Sequence, residues 1–249
     1  MKRCDLVGWL DKTLCNGDFK EEAVNGLQVE GDDEVELLAI AVDACQATID
    51  AAVAAGAQML LVHHGLFWGR CEPLVGTHGK RVKKMMQNGL SLYASHLPLD
   101  AHPELGNNAE LARLLSVHDR QPFGDYHGMT IGFAGSIAPL SPAELGQKLK
   151  AMFGAPPMIL PFGPDPIERV ALVSGGGWSL MEETRDSGFD ALISGEGLHQ
   201  CYLVAEDGGL NVFFAGHYAT ETLGVRAVAR AVEGKFGLPW TFLSHPTQM

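Results

Sequence analysis

The sequence predicts an α/β protein built from two similar lobes by internal duplication, with a metal site between them. Apolar, strand-like runs alternate with helix-like segments, the pattern of a largely parallel sheet covered by helices. Two such stretches align without a gap at a shift of 132 residues (168 − 36). Each repeat then ends in a histidine followed four residues later by a carboxylate, His96…Asp100 and His217…Glu221.

Taken in order, Glu36–Val42 reads as a buried strand, Cys45–Ala55 as a helix, and Gly56 as the residue that stops it. Met59–Val62 is the next strand and runs directly into His63-His64-Gly65. In the second repeat Glu168–Val173 reads as a strand and Trp178–Ser187 as a helix closed by Gly188. Phe189–Ile193 follows as a strand running into Ser194-Gly195-Glu196-Gly197. Across the shift Glu36 matches Glu168, Ala39 matches Ala171, Gly56 matches Gly188, Gly65 matches Gly197 and Leu66 matches Leu198. Leu90–His96 resembles Leu210–His217 with one inserted residue. Strand–helix–strand units are common enough to look alike by chance, but the ungapped register and the repeated His-x-x-x-acid favour duplication. The expected lobes are 1–125 and 126–249.

The stretch from Tyr126 to Phe162 is different in kind. Met129–Ile137 reads as a strand, and Ser141-Pro142-Ala143-Glu144 is a capping box with proline at the first helical position, so a helix starts there. Pro156, Pro157, Pro161, Pro164 and Pro166 mark an irregular connection. Glu221–Phe236 reads as a helix and Trp240–Leu243 as a short closing strand.

Composition narrows the function. Hydrophobic residues make up 46% and charged residues 19%, the balance of a soluble globular protein. A formal net charge of −12 argues against nucleic acid as the main partner, because phosphate binding draws on clustered Lys and Arg. The densest basic run, Lys80-Arg81-Val82-Lys83-Lys84, reads as the solvated face of a helix. The five cysteines form no C-x-x-C pair and are odd in number, which fits reduced thiols in the cytoplasm. Asp5 and Asp11 interrupt the N-terminus, so no signal peptide is visible, and no apolar run approaches the ~20 residues that span a bilayer.

The chemistry gathers at strand ends, where open α/β sheets bind their ligands. His63 and His64 follow four apolar residues, and burying two imidazoles requires partners. His217 ends the apolar run Val212–Ala215, Glu221 is expected to begin the next helix, and Asp100 follows Leu97-Pro98-Leu99 in the matching position. These five residues are the candidate metal ligands, with Glu221 as a bridging carboxylate. The mixed His/Asp/Glu set suits two divalent ions of Zn, Mn, Fe, Co or Ni. His96 stands where His217 stands in the repeat and is read as a ligand or, preferably, an acid–base group beside the metals. Glu196, in the place of His64, is read as lining the pocket in a catalytic role. Ser174-Gly175-Gly176-Gly177 reads as a tight turn in preference to an anion site. Phe67 and Trp68 pack in the core or line the mouth of the pocket. His78, His102, His118, His127 and His245 lack ligand spacing and are read as surface residues, as is His199.

Several motifs are shared with a known family. Val24-Asn25-Gly26-Leu27-Gln28-Val29, Val62-His63-His64-Gly65, His96-Leu97-Pro98-Leu99-Asp100, Gly106-Asn107-Asn108, Ser194-Gly195-Glu196 and Gly216-His217-Tyr218-Ala219-Thr220-Glu221 occur in that order over nearly the whole chain. In these the sequence resembles the YbgI-type, Nif-three-like dinuclear metal proteins, often labelled GTP cyclohydrolase I type 2 homologs. The resemblance implies two interlinked lobes with segments exchanged between them, a dinuclear site facing an inner cavity, and a homohexameric ring. It places the family's ligands on His63, His64, Asp100, His217 and Glu221. Gly65 departs from the Pro of many members, and the chain lacks room for the large middle insertion of others.

The function expected from these features is a dinuclear metal-dependent hydrolase of a small molecule, nucleotide-like or phosphorylated, with a metal-bridged hydroxide as the nucleophile. Purine ring opening of the GTP cyclohydrolase type is one alternative, although no G-x-x-x-x-G-K-[ST] loop is present. A non-catalytic metal-binding ring or scaffold is the other.

Overall fold

The structure is a computed structural model and describes residues 1–247. In chain order its elements are α1 (Arg3–Leu14), β1 (Gly26–Val29), β2 (Leu38–Asp43), α2 (Gln46–Ala54), β3 (Met59–His64), α3 (Gly76–Gln87), β4 (Ser91–Ala94) and α4 (Leu97–Ala101). There follow α5 (Asn107–Leu115), β5 (His118–Tyr126), β6 (Met129–Leu140), α6 (Pro142–Phe153), β7 (Met158–Pro161), β8 (Ile167–Val173), α7 (Met181–Asp186), β9 (Ala191–Ser194), α8 (Gln200–Gly208), β10 (Asn211–Phe214), α9 (His217–Phe236) and β11 (Trp240–Phe242). No helix among the described residues is long and apolar enough to cross a membrane.

The chain forms two compact units. Unit 1 takes Met1–Leu99 and Gly224–His245, and unit 2 takes Asp100–Leu223 and the residues from Pro246. The cut therefore differs from the expected 1–125 and 126–249, for two reasons. The segment after Leu99 carries α5 and β5, whose sheet partner β6 lies later in the chain. The C-terminal strand β11, in turn, pairs in parallel with β2.

Unit 1 holds a five-stranded sheet in the order β1-β4-β3-β2-β11, with β1 antiparallel at one edge and the rest parallel. Parallel strands are covered on both faces and so read as unbroken apolar runs. Leu38–Ala41 and Met59–Val62 are fully buried in this way. α3 packs through Val82 and Met85 and leaves Lys80 and Lys83 in solvent, as its basic run suggests.

Unit 2 holds a six-stranded sheet in the order β5-β6-β8-β9-β10-β7. Its parallel trio β8-β9-β10 reproduces β2-β3-β4, again with an antiparallel strand, β7, beside the last. The register repeats as well. Leu38 pairs with Met59 and Val170 with Ala191, the same two positions displaced by 132 residues. A side-chain clamp is also duplicated: the Gln58 amide oxygen accepts from the N–H groups of Glu36 and Leu37, and the Asp190 carboxylate accepts from those of Glu168 and Arg169. The two lobes are therefore one α/β unit used twice.

Two helices differ from expectation. The helix expected over Trp178–Ser187 begins as a 3-10 turn, Gly177–Leu180, and becomes α-helical only at Met181, because the three glycines before it form a tight loop and not a helix start. The helix expected from Glu221 starts at His217, where Gly216 (φ +100°) turns the chain straight off β10. The Ser141 capping box forms as read, with the Ser141 Oγ accepting from the Glu144 N–H.

Candidate metal centre

Unit 1 supplies imidazoles. His63 and His64 are the last two residues of β3, His63 completely buried and His64 half-buried. Each ring is anchored through Nδ1. His63 donates to the Ser95 carbonyl at 3.0 Å, and His64 donates to Oδ1 of Asp43 at 2.8 Å. A proton fixed on Nδ1 makes Nε2 the basic nitrogen, the usual arrangement of a metal-binding histidine.

His96 joins them. Its Nδ1 lies 2.5 Å from Oε2 of Glu21, its backbone N–H donates to the Asn25 side chain, and Glu21 also accepts from the Asn25 amide and the Leu97 N–H. Burial alone would raise the Glu21 pKa, but the His96 hydrogen bond and charge, with the other donors, hold it below the usual carboxylate range. His63, His64 and His96 bring ring nitrogens within 4.8 Å of one another.

Behind His63 runs a buried polar chain. Ser95 Oγ donates to Asn16, Asn16 donates to the Tyr93 hydroxyl, and Tyr93 donates to Asp11. Trp68 stands edge-on to His96 with centroids 5.0 Å apart, its indole N–H on the Gly65 carbonyl, and it is 37% exposed, so it lies outside the core. The Gln28 amide occupies the space that a side chain at Gly65 would fill, and it accepts from the Leu66 N–H. Glycine at this position is thereby explained.

Unit 2 supplies carboxylates. Asp100 is 7% exposed, and its Oδ1 accepts from Asn107 at 2.9 Å and from Ser174 Oγ at 2.8 Å. Asn108 braces the same turn through the Asp100 and Ile131 carbonyls and the Ser174 N–H. His217 and Glu221 are one turn apart on α9, with Nε2 3.0 Å from Oε1, and His217 Nδ1 is 3.1 Å from Glu196. Gly175 (φ +61°) lies against this pair, and a Cβ there would overlap the Glu221 carboxylate. Desolvation would lower the His217 pKa, but hydrogen bonds and charge from Glu221 and Glu196 outweigh it and raise it to about 9. The cluster thus attracts positive charge, and a divalent cation answers that demand as a proton does.

The structure therefore brings His63, His64 and His96 together in one unit, and Glu196, His217 and Glu221 together in the other, with Asp100 held through the residue next to Gly175. This donor chemistry, imidazole nitrogen and carboxylate oxygen, fits a divalent transition metal. Asp43, Glu21, Asn16 and Ser174 escape a reading of the sequence alone. Asp43 carries a usable signal: it is the first charged residue after a buried strand and stands where Gly175 stands in the repeat. His102 and His78, read as surface residues, are half-buried. His102 Nδ1 accepts from the Glu104 and Leu105 N–H groups, and His78 packs edge-on against Phe67.

Comparison with known proteins follows the same lines. The Duf34/NIF3 (NGG1p interacting factor 3) family matches residues 1–248. A protein of Deinococcus radiodurans named GTP cyclohydrolase 1 type 2 homolog is 44% identical, covering 98% of this chain and 94% of that protein. The crystal structure of TTHA1606 from Thermus thermophilus is 41% identical with a TM-score of 0.94, covering 100% of both chains. The structure of protein ybgI, of unknown function, is 37% identical with a TM-score of 0.92, again over 100% of both.

Proposed function

The chain belongs to the Duf34/NIF3 family, and from that premise we propose that it is a dinuclear metal-dependent hydrolase of a small, nucleotide-like or phosphorylated molecule. The observation that carries the reading is the anchoring of both His63 and His64 through Nδ1, by Ser95 and Asp43. A histidine needed only for packing does not require a carboxylate to set its tautomer.

His63, His64, Asp100, His217 and Glu221 are the proposed ligands of one centre, with Glu221 as the bridging carboxylate. When bound, two divalent ions neutralise substrate charge and lower the pKa of water. Five protein ligands over two ions leave positions open, the condition for catalysis in preference to a saturated structural site. Asp43 and Ser95 orient the imidazoles, and Asn107 and Ser174 hold one oxygen of Asp100. His96, pinned by Glu21, and Glu196, beside His217, are the residues proposed to hold or move protons on the substrate. Trp68 contributes an exposed ring beside His96.

Purine ring opening is the second reading, favoured by the name of the Deinococcus relative. A homohexameric ring and a cytoplasmic location complete the proposal. The test is elemental analysis of the full chain and of His217→Ala, followed by a metal-dependent screen of phosphorylated compounds and purine nucleotides. Turnover in the parent that His217→Ala abolishes, with the assembly retained in size-exclusion chromatography with light scattering, supports a hydrolase. Loss of assembly and melting temperature without turnover of anything supports the scaffold alternative.

A further inference from the structure

Helix α3 carries two buried polar atoms that the metal centre does not explain. His78 Nε2 and Arg81 Nε are both shielded from solvent and have no hydrogen-bond partner among the described residues. The two residues are three apart on α3, so their side chains are neighbours on one face of the helix. That face is turned inward. Val82 and Met85 sink into the core beside it, and the His78 ring stands edge-on to Phe67 with centroids 5.1 Å apart. The start of the helix is fixed as well: the Gly79 N–H donates to the Val75 carbonyl, and a Cβ at Gly79 would strike the Leu74 carbonyl.

Neither packing nor the protein's own acids account for the pair. Desolvating a guanidinium nitrogen without an acceptor is costly, and native structures rarely leave such an atom unsatisfied. α3 contains no Asp or Glu. Asp50 on the neighbouring α2 is engaged by Lys84 at 3.8 Å and by the Gln46 amide at 3.1 Å. Lys80, Arg81, Lys83 and Lys84 meanwhile put four of the chain's 18 Lys and Arg into five residues, in a chain of net charge −12. The local charge is positive where that of the whole molecule is negative, and Arg81 is half-buried within it.

We propose that His78 and Arg81 form an anion site on α3 that takes a phosphate group, free or as the monoester end of a small molecule. A guanidinium presents a planar fork that suits paired phosphate oxygens, and one tetrahedral anion has acceptors enough for Arg81 and the imidazole together. Lys84, three residues beyond Arg81, adds positive charge on the same side of the helix. A carboxylate brings one charge and two oxygens, whereas a phosphate monoester brings about two charges and three strong acceptors, so phosphate is the anion this cluster favours. The site shares no residue with the strand-end donors and needs no metal, so it stands or falls apart from the hydrolase reading.

The test uses the full chain, stripped of metal with chelator and dialysed into phosphate-free buffer. It is titrated with inorganic phosphate, adenosine monophosphate and adenosine, and binding is read by calorimetry and thermal melting. The expected result is one site per chain that binds both phosphate-bearing compounds and not adenosine. Similar affinity for the two marks the phosphate alone as the group recognised, and tighter binding of the monoester assigns the site to a phosphorylated small molecule. Arg81→Met, which keeps the apolar stem, should weaken binding about 10–100-fold, and His78→Phe, which keeps a ring on Phe67, should weaken it less. Lys83→Gln, two residues along and so on another face of α3, should leave affinity nearly unchanged. In the absence of phosphate Arg81→Met should melt no lower than the parent, because it removes a desolvated donor that has no acceptor. Absence of phosphate binding by the parent overturns the assignment, as does adenosine binding as well as its monophosphate. An equal loss in Lys83→Gln and Arg81→Met overturns it by showing diffuse charge in place of a built site. A lower melting temperature for ligand-free Arg81→Met overturns it too, since the guanidinium is then satisfied within the chain.

Discussion

Asp43 and His64 end neighbouring parallel strands as a register pair, and Oδ1 of the first lies 2.8 Å from Nδ1 of the second. The sheet itself sets this contact, since the backbone N–H of Ala44 also bonds the His64 carbonyl at 2.8 Å. The carboxylate fixes the tautomer and makes the far ring nitrogen more basic. Asp43→Asn should keep the fold and lower metal affinity about 10–100-fold, measured by competition with a chelating indicator. Unchanged affinity would show that the sheet alone orients the ring.

In the second repeat the position of Asp43 is taken by Gly175. Its φ of +61° suits glycine, and a Cβ would overlap the Glu221 carboxylate. Gly175→Ala should therefore act twice, destabilising the chain by about 1–3 kcal/mol and lowering metal content. Urea unfolding and elemental analysis read the two effects separately. A variant that unfolds and binds metal like the parent would contradict the close approach of Gly175 to Glu221.

Much of this arrangement is legible in the residues because it depends on local order. The strands that lead to His63, His64 and His217 follow from unbroken apolar runs, and the duplication shows in spacing alone. Beyond the charge that Asp43 places at the end of a buried strand, the anchors of the histidines are not legible. Glu21 meets His96 across 75 positions and Asp43 meets His64 across 21, contacts made by sheet register and loop path that no short window encodes. The lobe boundary is hidden for a similar reason: β11 returns to β2 across almost the whole chain. His217 reads as preceding its helix because Gly216 reads as a loop, whereas its φ of +100° lets the helix begin one residue later.

The duplicated clamp offers a stability test of the duplication. Gln58 and Asp190 each accept two backbone N–H groups at the start of equivalent strands. Gln58→Ala should cost about 1–2 kcal/mol in urea unfolding, the range of one or two neutral hydrogen bonds. Asp190→Ala should cost more, because its acceptor is ionised, and Asp190→Asn should recover part of the loss. Equal, negligible effects would mean the strand starts are held by the ladder alone.

The pH dependence of the ion-free chain follows from His217. Its folded pKa of about 9 lies above the ordinary 6.5, so the stabilisation is complete below pH 6.5 and is lost as pH rises through 9. The metal-free chain should melt at lower temperature at pH 9.5 than at pH 6.5, and His217→Gln should flatten that difference. Metal removes this loss. A divalent ion on His217 competes with the same proton, so affinity should climb over this interval and offset the falling stability of the ion-free chain, leaving the melting temperature of the loaded chain level. Calorimetric melts with chelator and with saturating Zn, at both pH values, separate the two slopes. Parallel slopes in the two conditions would place the metal elsewhere than on His217.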